Sequence, residues 1–196
     1  MKNLILNNIR EKLSNFVVSE GSEQRSVGDI VEFKIRQILM DLPPYGVIKE
    51  CLLPRSKKSI EDVTLVGTNG VNYRVDPKTH NIDSEFSMPN LSSVEKLRKL
   101  LENENEELIY IFVSYVINGV EVSITKIDVK YLWELSFEML RIGSLGKGQL
   151  QISNMHNELK FTDSGKLEWL NELKSKVREY HNQRIKQIEK DKLKWV

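Results

Sequence analysis

The sequence predicts an α/β (α+β) fold, with a mixed, largely antiparallel central sheet flanked by helices. Apolar residues at helical spacing near both ends of the chain predict the helices. Between them, alternating polar and apolar residues around a Gly-Thr-Asn-Gly turn, and a β-branched and aromatic run that contains Asn118-Gly119, predict antiparallel strand pairs. We see neither an internal repeat nor a linker, so we expect a single domain over residues 1–196, with a helical part over residues 1–45.

Each element has a local signature in the sequence. Two amino-terminal segments have apolar residues at helical spacing: Leu4, Ile5, Ile9, Leu13 and Phe16 in the first, and Ile30, Phe33, Ile38 and Leu42 in the second. Pro43-Pro44 ends the second helix, and "GVIKECLL" is predicted to be a strand. "NLSSVEKLRKLLEN" predicts a helix capped by Asn90, Ser92 or Ser93. A last helix is predicted to turn four residues to the core: Leu167, Trp169, Leu170 and Leu173.

The stretch "EDVTLVGTNGVNYRVDPKTHN" (61–81) reads as two strands joined by a tight turn. Val63 and Val75 belong to its apolar face. Asp76 and Lys78 are two residues apart, so they share the opposite face of the second strand. Pro77, between them, has no backbone N–H to donate to a neighbouring strand, which predicts that the strand ends there or lies at an edge of the sheet.

Pairing of these strands would bring Asp62 near Asp76. Two converging carboxylates repel each other unless a cation lies between them, and Mg²⁺ is often bound by one or two protein carboxylates together with a phosphate. A neighbouring lysine can then stabilise charge in the transition state of phosphodiester hydrolysis. The alternative for Asp62, Asp76 and Lys78 is an ordinary solvated strand face.

Composition narrows the function classes. The net charge of +1 gives no general sign of a nucleic-acid partner, although charge on one face is sufficient for binding. A single cysteine, Cys51, excludes an internal disulfide, and the three histidines are too scattered for a metal motif. We expect a cytoplasmic protein of bacterial type, because no signal peptide or membrane-spanning run is evident.

The stretch "EDVTLVG…NYRVDPKTHN" resembles the active-site hairpin of the PD-(D/E)xK nuclease superfamily. Within it, the type II restriction endonucleases of the EcoRV and HincII group are most similar. The later segments "MPNLSSVEKLRKLL", "ELIYIFVSYVINGVEVSITKI" and "GQLQISNMHNELKFTDSGKLEWLNELKSKV" resemble elements of that group in the same order, so the likeness covers roughly residues 59–177. It implies a restriction-endonuclease-like fold with a catalytic core over residues 46–130.

The resemblance also implies residue roles. Asp62 and Asp76 match the two acidic positions, and Lys78 matches the lysine. Glu61 stands where the motif has its proline. Glu32 is the candidate for an acidic residue on an early helix that supports the metal site; the alternative is a solvated helical glutamate. The implied reaction is sequence-specific hydrolysis of double-stranded DNA with one or two Mg²⁺ ions held by Asp62 and Asp76, which leaves 5′-phosphate and 3′-hydroxyl ends.

DNA-reading residues are expected mainly in residues 131–196. In "RIGSLGKGQLQISN", glycines permit close approach to a groove, a lysine can contact phosphate, and amide side chains can pair with adenine; the candidates are Lys147, Gln149, Gln151 and Asn154. A plain loop before a strand is the alternative. Two further groups are candidates for contact with DNA: Arg55, Lys57 and Lys58, and Thr79, His80 and Asn81. The alternative is a solvated loop for the first group and a turn cap for the second.

A palindromic site read by a restriction enzyme requires a two-fold homodimer, and the first helix can pack against either a partner subunit or its own core. Such an enzyme also implies a cognate DNA methyltransferase that protects host DNA. Two alternative functions are another PD-(D/E)xK nuclease, such as a repair or junction-resolving enzyme, and a non-catalytic DNA-binding protein.

Overall fold

The computed structural model describes residues 1–20, 24–42, 46–54, 56, 59–84, 90–144, 148–153 and 159–194. In this part of the chain the helices are α1 (Lys2–Lys12), α2 (Gln24–Met40), α3 (Val94–Leu101) and α4 (Lys166–Lys192). The strands are β1 (Phe16–Val17), β2 (Ile48–Leu52), β3 (Val63–Gly67), β4 (Asn72–Asn81), β5 (Asn90–Ser93), β6 (Glu106–Asn118), β7 (Glu121–Tyr131), β8 (Leu140–Gly143) and β9 (Gln149–Ile152). None of these helices is long and apolar enough to cross a membrane.

Six strands form the central sheet, in the order β1-β7-β6-β4-β3-β2. Every neighbouring pair is antiparallel except β4 and β6, which run parallel from Asn72 opposite Glu106 to Asn81 opposite Tyr115. This arrangement confirms the mixed, largely antiparallel sheet. Because parallel neighbours require a crossover connection, the chain between β4 and β6 leaves the sheet and forms β5 and α3.

The sheet is covered on both faces by apolar side chains. On β6, Ile109 and Ile111 point into a cluster with α1 and α2. Tyr110 and Phe112 point the other way, into a second cluster with α3 and α4. The continuous apolar run of β6 therefore reflects a strand that is buried on both sides.

The helix α1 packs against its own subunit. Ile5 and Ile9 are fully buried, and Leu13 is nearly so, in the cluster that also receives α2 and the central sheet. Of the two alternatives for this helix, the structure shows packing on its own core.

The buried stripe of α2 agrees only in part with the predicted one. Ile38 and Leu42 are buried as predicted, but the fully buried residues follow a four-residue spacing that was not predicted: Val27, Val31, Ile35 and Leu39. Phe33 falls on the opposite side of the helix and is 52% exposed, because position 33 is two residues from both Val31 and Ile35. The prediction that Phe33 belongs to the core was wrong.

A small antiparallel sheet, in the order β5-β9-β8, packs its apolar face into the second cluster. The strand β5 runs into α3, where Ser93 is the cap whose hydroxyl accepts a hydrogen bond from the Lys96 N–H at 3.4 Å. In α4, Trp169, Leu170 and Leu173 are buried as predicted. Leu167 is 70% exposed, contrary to its prediction, because it lies on the outer side of the first turn.

Candidate active site

The hairpin of β3 and β4 brings the two predicted acidic residues to adjacent positions. The strands pair from Val66 opposite Asn72 to Val63 opposite Val75, and Asp62 directly precedes the last of these pairs. The Asp62 N–H donates to the Val75 carbonyl oxygen at 2.9 Å, which holds Asp62 beside β4 although the regular register has ended. Because Asp76 directly follows Val75, both carboxylates belong to the same end of the hairpin.

On β4, Asp76 and Lys78 form an ion pair. The Lys78 Nζ lies 2.8 Å from the Asp76 Oδ2, as expected for residues that share a strand face. Asp76 is only 6% exposed, so the pair is not a solvated surface contact. The structure therefore excludes the simple solvated-face alternative for Asp76.

Pro77 lies inside β4, which continues to Asn81. The prediction that the strand ends at this proline was wrong, but the alternative prediction of an edge was right. Pairing with β3 stops at Val75, so from Asp76 onward β4 has β6 as its neighbour on one side only. A residue without an N–H donor is tolerated on such a half-open strand.

Burial raises the pKa of Asp76 from 3.8 to about 7. The Lys78 ammonium acts against this rise, whereas the Asp62 and Glu32 carboxylates add to it. The low polarity of the surroundings therefore outweighs the ion pair, and the ionised form of Asp76 is held at a cost in free energy.

Glu32, on α2, belongs to the same group of charges. Burial raises its pKa, Lys78 acts in the opposite direction, and Asp62 contributes to the rise. The Thr79 hydroxyl donates to the Glu32 Oε1 at 3.4 Å, which links the helix to β4. Glu32, Asp62, Asp76 and Lys78 interact electrostatically with one another, and we refer to them as the acidic cluster.

Arg36 also reaches this cluster, and the sequence analysis missed it. Its Nη2 lies 3.2 Å from the Asp62 Oδ1. Arg36 follows Glu32 by four residues, so both side chains project from one side of α2. That spacing was visible in the sequence, but the contact depends on how α2 lies across the hairpin.

The donors in the acidic cluster are all carboxylate oxygens. No three acidic, histidine or cysteine side chains of the described residues are grouped closely enough to hold a metal ion by themselves. A Mg²⁺ site does not need three protein ligands, because Mg²⁺ commonly binds one or two protein carboxylates and completes its coordination shell with water and phosphate. A cation would also stabilise the buried charge of Asp76, so Asp62 and Asp76 fit such a site.

Glu61, which stands where the motif has its proline, has a structural role. Its side chain is buried and accepts a hydrogen bond from the Arg74 Nη1 at 2.8 Å. The Arg74 Nε donates to the Glu106 Oε2 at 2.7 Å, which connects β4 with β6. This network joins the segment before β3 to β4 and β6.

The residues after the lysine are less accessible than a DNA contact requires. His80 and Asn81 are each 7% exposed, and Thr79 is hydrogen-bonded to Glu32. The Asn81 Oδ1 accepts from the Asp83 N–H at 3.1 Å, a side-chain contact typical of a turn. These contacts favour the alternative that this segment caps the turn.

Gln151 is held by protein groups on the small sheet. It is 9% exposed, accepts from the Arg141 Nε at 3.1 Å, and donates to the Asn90 Oδ1. Gln149 lies on the same strand and is half-buried. The polar face of this sheet thus presents an Arg-Gln-Asn row, of which only the glutamine was predicted.

In the described part of the glycine-rich loop, the backbone requires glycine at position 148. Gly148 has a φ of +110°, and a Cβ there would lie 3.2 Å from the Ile142 Cγ2 and 3.3 Å from the Val94 Cγ2. The other predicted DNA-binding residues lie outside the described residues: Lys147, Asn154, Arg55, Lys57 and Lys58.

Comparisons with known proteins give similarity in structure but none in sequence. No protein-family model matches the sequence, and no curated protein matches it. Among solved structures, the NlaIV restriction endonuclease is similar in backbone course, with a TM-score of 0.47 and 11% sequence identity. The match covers 78% of this chain and 66% of that chain, so it spans slightly less than two thirds of the NlaIV enzyme.

Proposed function

We propose that this protein is a Mg²⁺-dependent endonuclease that hydrolyses phosphodiester bonds in double-stranded DNA, as a type II site-specific deoxyribonuclease. The acidic cluster is the observation that carries the proposal. It combines a buried aspartate, a lysine 2.8 Å away and a second aspartate whose N–H donates to the Val75 carbonyl oxygen, directly before the first aspartate. These residue types, in this chain order, are those of the PD-(D/E)xK motif.

Each residue has a role in the proposed reaction. Asp62 and Asp76 would hold one or two Mg²⁺ ions, with Glu32 adding negative charge beside them. Bound Mg²⁺ supplies charge neutralisation at the phosphate and lowers the pKa of a coordinated water. Lys78 would orient the attacking water and stabilise the charge that develops on the phosphate oxygens. A water oxygen bonds to phosphorus as the bond to the 3′ oxygen breaks, which leaves a 5′-phosphate and a protonated 3′-hydroxyl.

The proposal includes partners. The substrate would be a duplex with a short palindromic site, cut by a homodimer with one active site for each strand. Since α1 packs on its own core, the dimer would use another surface. A cognate DNA methyltransferase would protect the host.

Digestion of a plasmid of known sequence tests this function. We expect discrete, reproducible fragments with Mg²⁺ and none with EDTA. Cleavage confined to branched or damaged substrates would instead indicate a repair or junction-resolving nuclease. Binding of duplex DNA without any cleavage would indicate a non-catalytic DNA-binding protein.

A matched pair of variants tests the site itself. Asp76→Asn should reduce cleavage at least about a hundredfold, because it removes a proposed metal ligand but keeps the side-chain shape. Asp128→Asn is the control: Asp128 also pairs with a lysine two residues away, Lys126, at 3.4 Å, but it lies on β7, two strands away from β4. Normal cleavage by a folded Asp76→Asn protein would place the active site elsewhere.

A further inference from the structure

Both carboxylates of the proposed metal site already have a cationic partner within the protein. Lys78 contacts Asp76, and Arg36 contacts Asp62 at 3.2 Å. The lysine belongs to the motif, whereas nothing in the motif requires the arginine. A divalent cation that binds Asp62 must share this carboxylate with Arg36 or displace the guanidinium from it.

The guanidinium of Arg36 also has an unused donor. Its Nε is buried and has no acceptor among the described residues. A buried N–H without a partner is costly, so its presence calls for an explanation. The rest of the side chain is accessible, since 37% of it is exposed. The planar fork of arginine donates two parallel hydrogen bonds and fits the oxygens of a phosphate.

We propose that Arg36 is the counter-ion of Asp62 in the DNA-free protein and binds a backbone phosphate of the DNA once a divalent cation occupies Asp62. This inference rests on the proposed function and adds to it a substrate-binding residue on α2. The exchange would supply the Nε with an acceptor and leave Asp62 free to bind the cation.

The charge balance of the site supports this exchange. With all its carboxylates ionised, the acidic cluster together with Arg36 carries one net negative charge. One divalent cation and one singly charged phosphodiester bring that total to zero. Without Arg36, the same complex would retain an uncompensated negative charge beside the DNA, in partly buried surroundings where charge imbalance is costly.

Two measurements on purified protein test the inference, both with Ca²⁺ in place of Mg²⁺ so that cleavage does not interfere. The first is Ca²⁺ affinity without DNA, by calorimetric titration. Arg36→Gln should bind Ca²⁺ about five-fold more tightly, because the competing ion pair is gone. The second is the affinity for a fluorescent duplex at several salt concentrations. Arg36→Gln should reduce the slope of log affinity against log salt by about 0.9, the value of one phosphate contact.

Two further variants separate this role from a structural one. Arg10→Gln removes an exposed arginine from α1 and should behave as the wild type in both measurements. Arg36→Lys restores the charge, so it should recover the wild-type salt slope, and thermal melts establish that each variant is folded. A folded Arg36→Gln variant whose Ca²⁺ affinity or salt slope equals that of Arg10→Gln overturns the inference. Failure of the proposed function is recognised separately, in a wild-type protein that neither binds nor cuts duplex DNA.

Discussion

Asp76 places a negative charge where the fold disfavours it. The residue is 6% exposed, and its pKa of about 7 means that a neutral carboxyl group is the more stable form over much of the acidic range. A buried carboxylate that the surrounding structure does not fully stabilise is typical of a binding or catalytic site. In the proposed reaction, this charge would hold the divalent cation.

This cost predicts a pH dependence of stability in EDTA. The folded protein keeps the Asp76 proton up to about pH 7, whereas the unfolded chain releases it near 3.8, so the free energy of unfolding should fall as pH rises between these values. Asp76→Asn should remove this contribution and be more stable than wild type at pH 8, by at least about 1 kcal/mol. Urea unfolding at pH 5 and pH 8 measures both effects. If the free energy of unfolding changed equally with pH in the two proteins, the pH dependence would not come from Asp76.

Tyr110 shows a similar conflict between burial and polarity. It lies opposite Asp76 on β6, is fully buried, and its hydroxyl has no partner among the described residues. Removing an unsatisfied buried hydroxyl should not destabilise a fold. We therefore expect Tyr110→Phe to leave the free energy of unfolding unchanged or raise it by about 1 kcal/mol in chemical denaturation. A clear loss of stability would show that the hydroxyl is hydrogen-bonded.

At the scale of elements, α2 and the β3–β4 hairpin together create the candidate site. The hairpin supplies Asp62, Asp76 and Lys78, and α2 contributes Glu32 and Arg36 from one side. The four-residue spacing of its buried valines, isoleucine and leucine fixes how α2 rotates about its axis. The packing of this stripe against the core therefore determines which polar residues of α2 reach the acidic cluster.

The carboxyl-terminal half of α4 contributes little to the core. Residues 181–190 are all exposed, and the segment 174–194 contains eight Lys/Arg against three Asp/Glu. Removal of residues 185–196 keeps the Arg184 contacts to Tyr180 and Ser144, so the free energy of unfolding should change by less than about 0.5 kcal/mol. Duplex affinity at low salt should fall, because the deletion removes more basic than acidic side chains. Chemical denaturation and fluorescence anisotropy measure the two outcomes, and unchanged affinity would assign this helix no part in DNA binding.

At the scale of the whole molecule, the charge distribution is more informative than its sum. The net charge is +1, but residues outside 174–194 carry 21 Lys/Arg against 25 Asp/Glu. Positive charge is thus concentrated on α4, and the acidic cluster lies in the remaining, net negative part of the chain. Local fields of this kind can steer a polyanion to one side of a nearly neutral protein.

Cation binding at the acidic cluster should be visible in the stability of the whole protein. A ligand that binds only the folded state at ten times its dissociation constant adds about 1.4 kcal/mol, which raises the melting temperature of a chain of this size by roughly 3–5 °C. We expect this increase with Mg²⁺ in the wild type and not in Asp76→Asn, by scanning calorimetry. Equal shifts in both proteins would mean that the cation binds elsewhere.

Much of the fold could be predicted because its signals are local. The turn at Gly67–Gly70, the strand alternation and the apolar run of β6 each depend on neighbouring residues. The strands β1, β5 and β8 were missed, because strands of two to four residues have too few alternating positions to be recognised. The prediction that Phe16 belongs to the first helix was wrong, since α1 ends at Lys12 and Phe16 lies in β1. The parallel pairing of β4 with β6 was also not predictable, since alternation is the same in both strand orientations.

For the candidate site, residue identity and hairpin register followed from the sequence, since Asp62 and Asp76 are related by a short turn. The energetic properties of the site did not follow from the sequence. The raised pKa of Asp76, the ion pair of Arg36 with Asp62, and the hydrogen bonds of Gln151 with Arg141 and Asn90 all depend on residues from separate segments of the chain. Such contacts form only when the helices and sheets pack together. Burial and electrostatic coupling depend on distances across that packing, and local sequence patterns do not specify those distances.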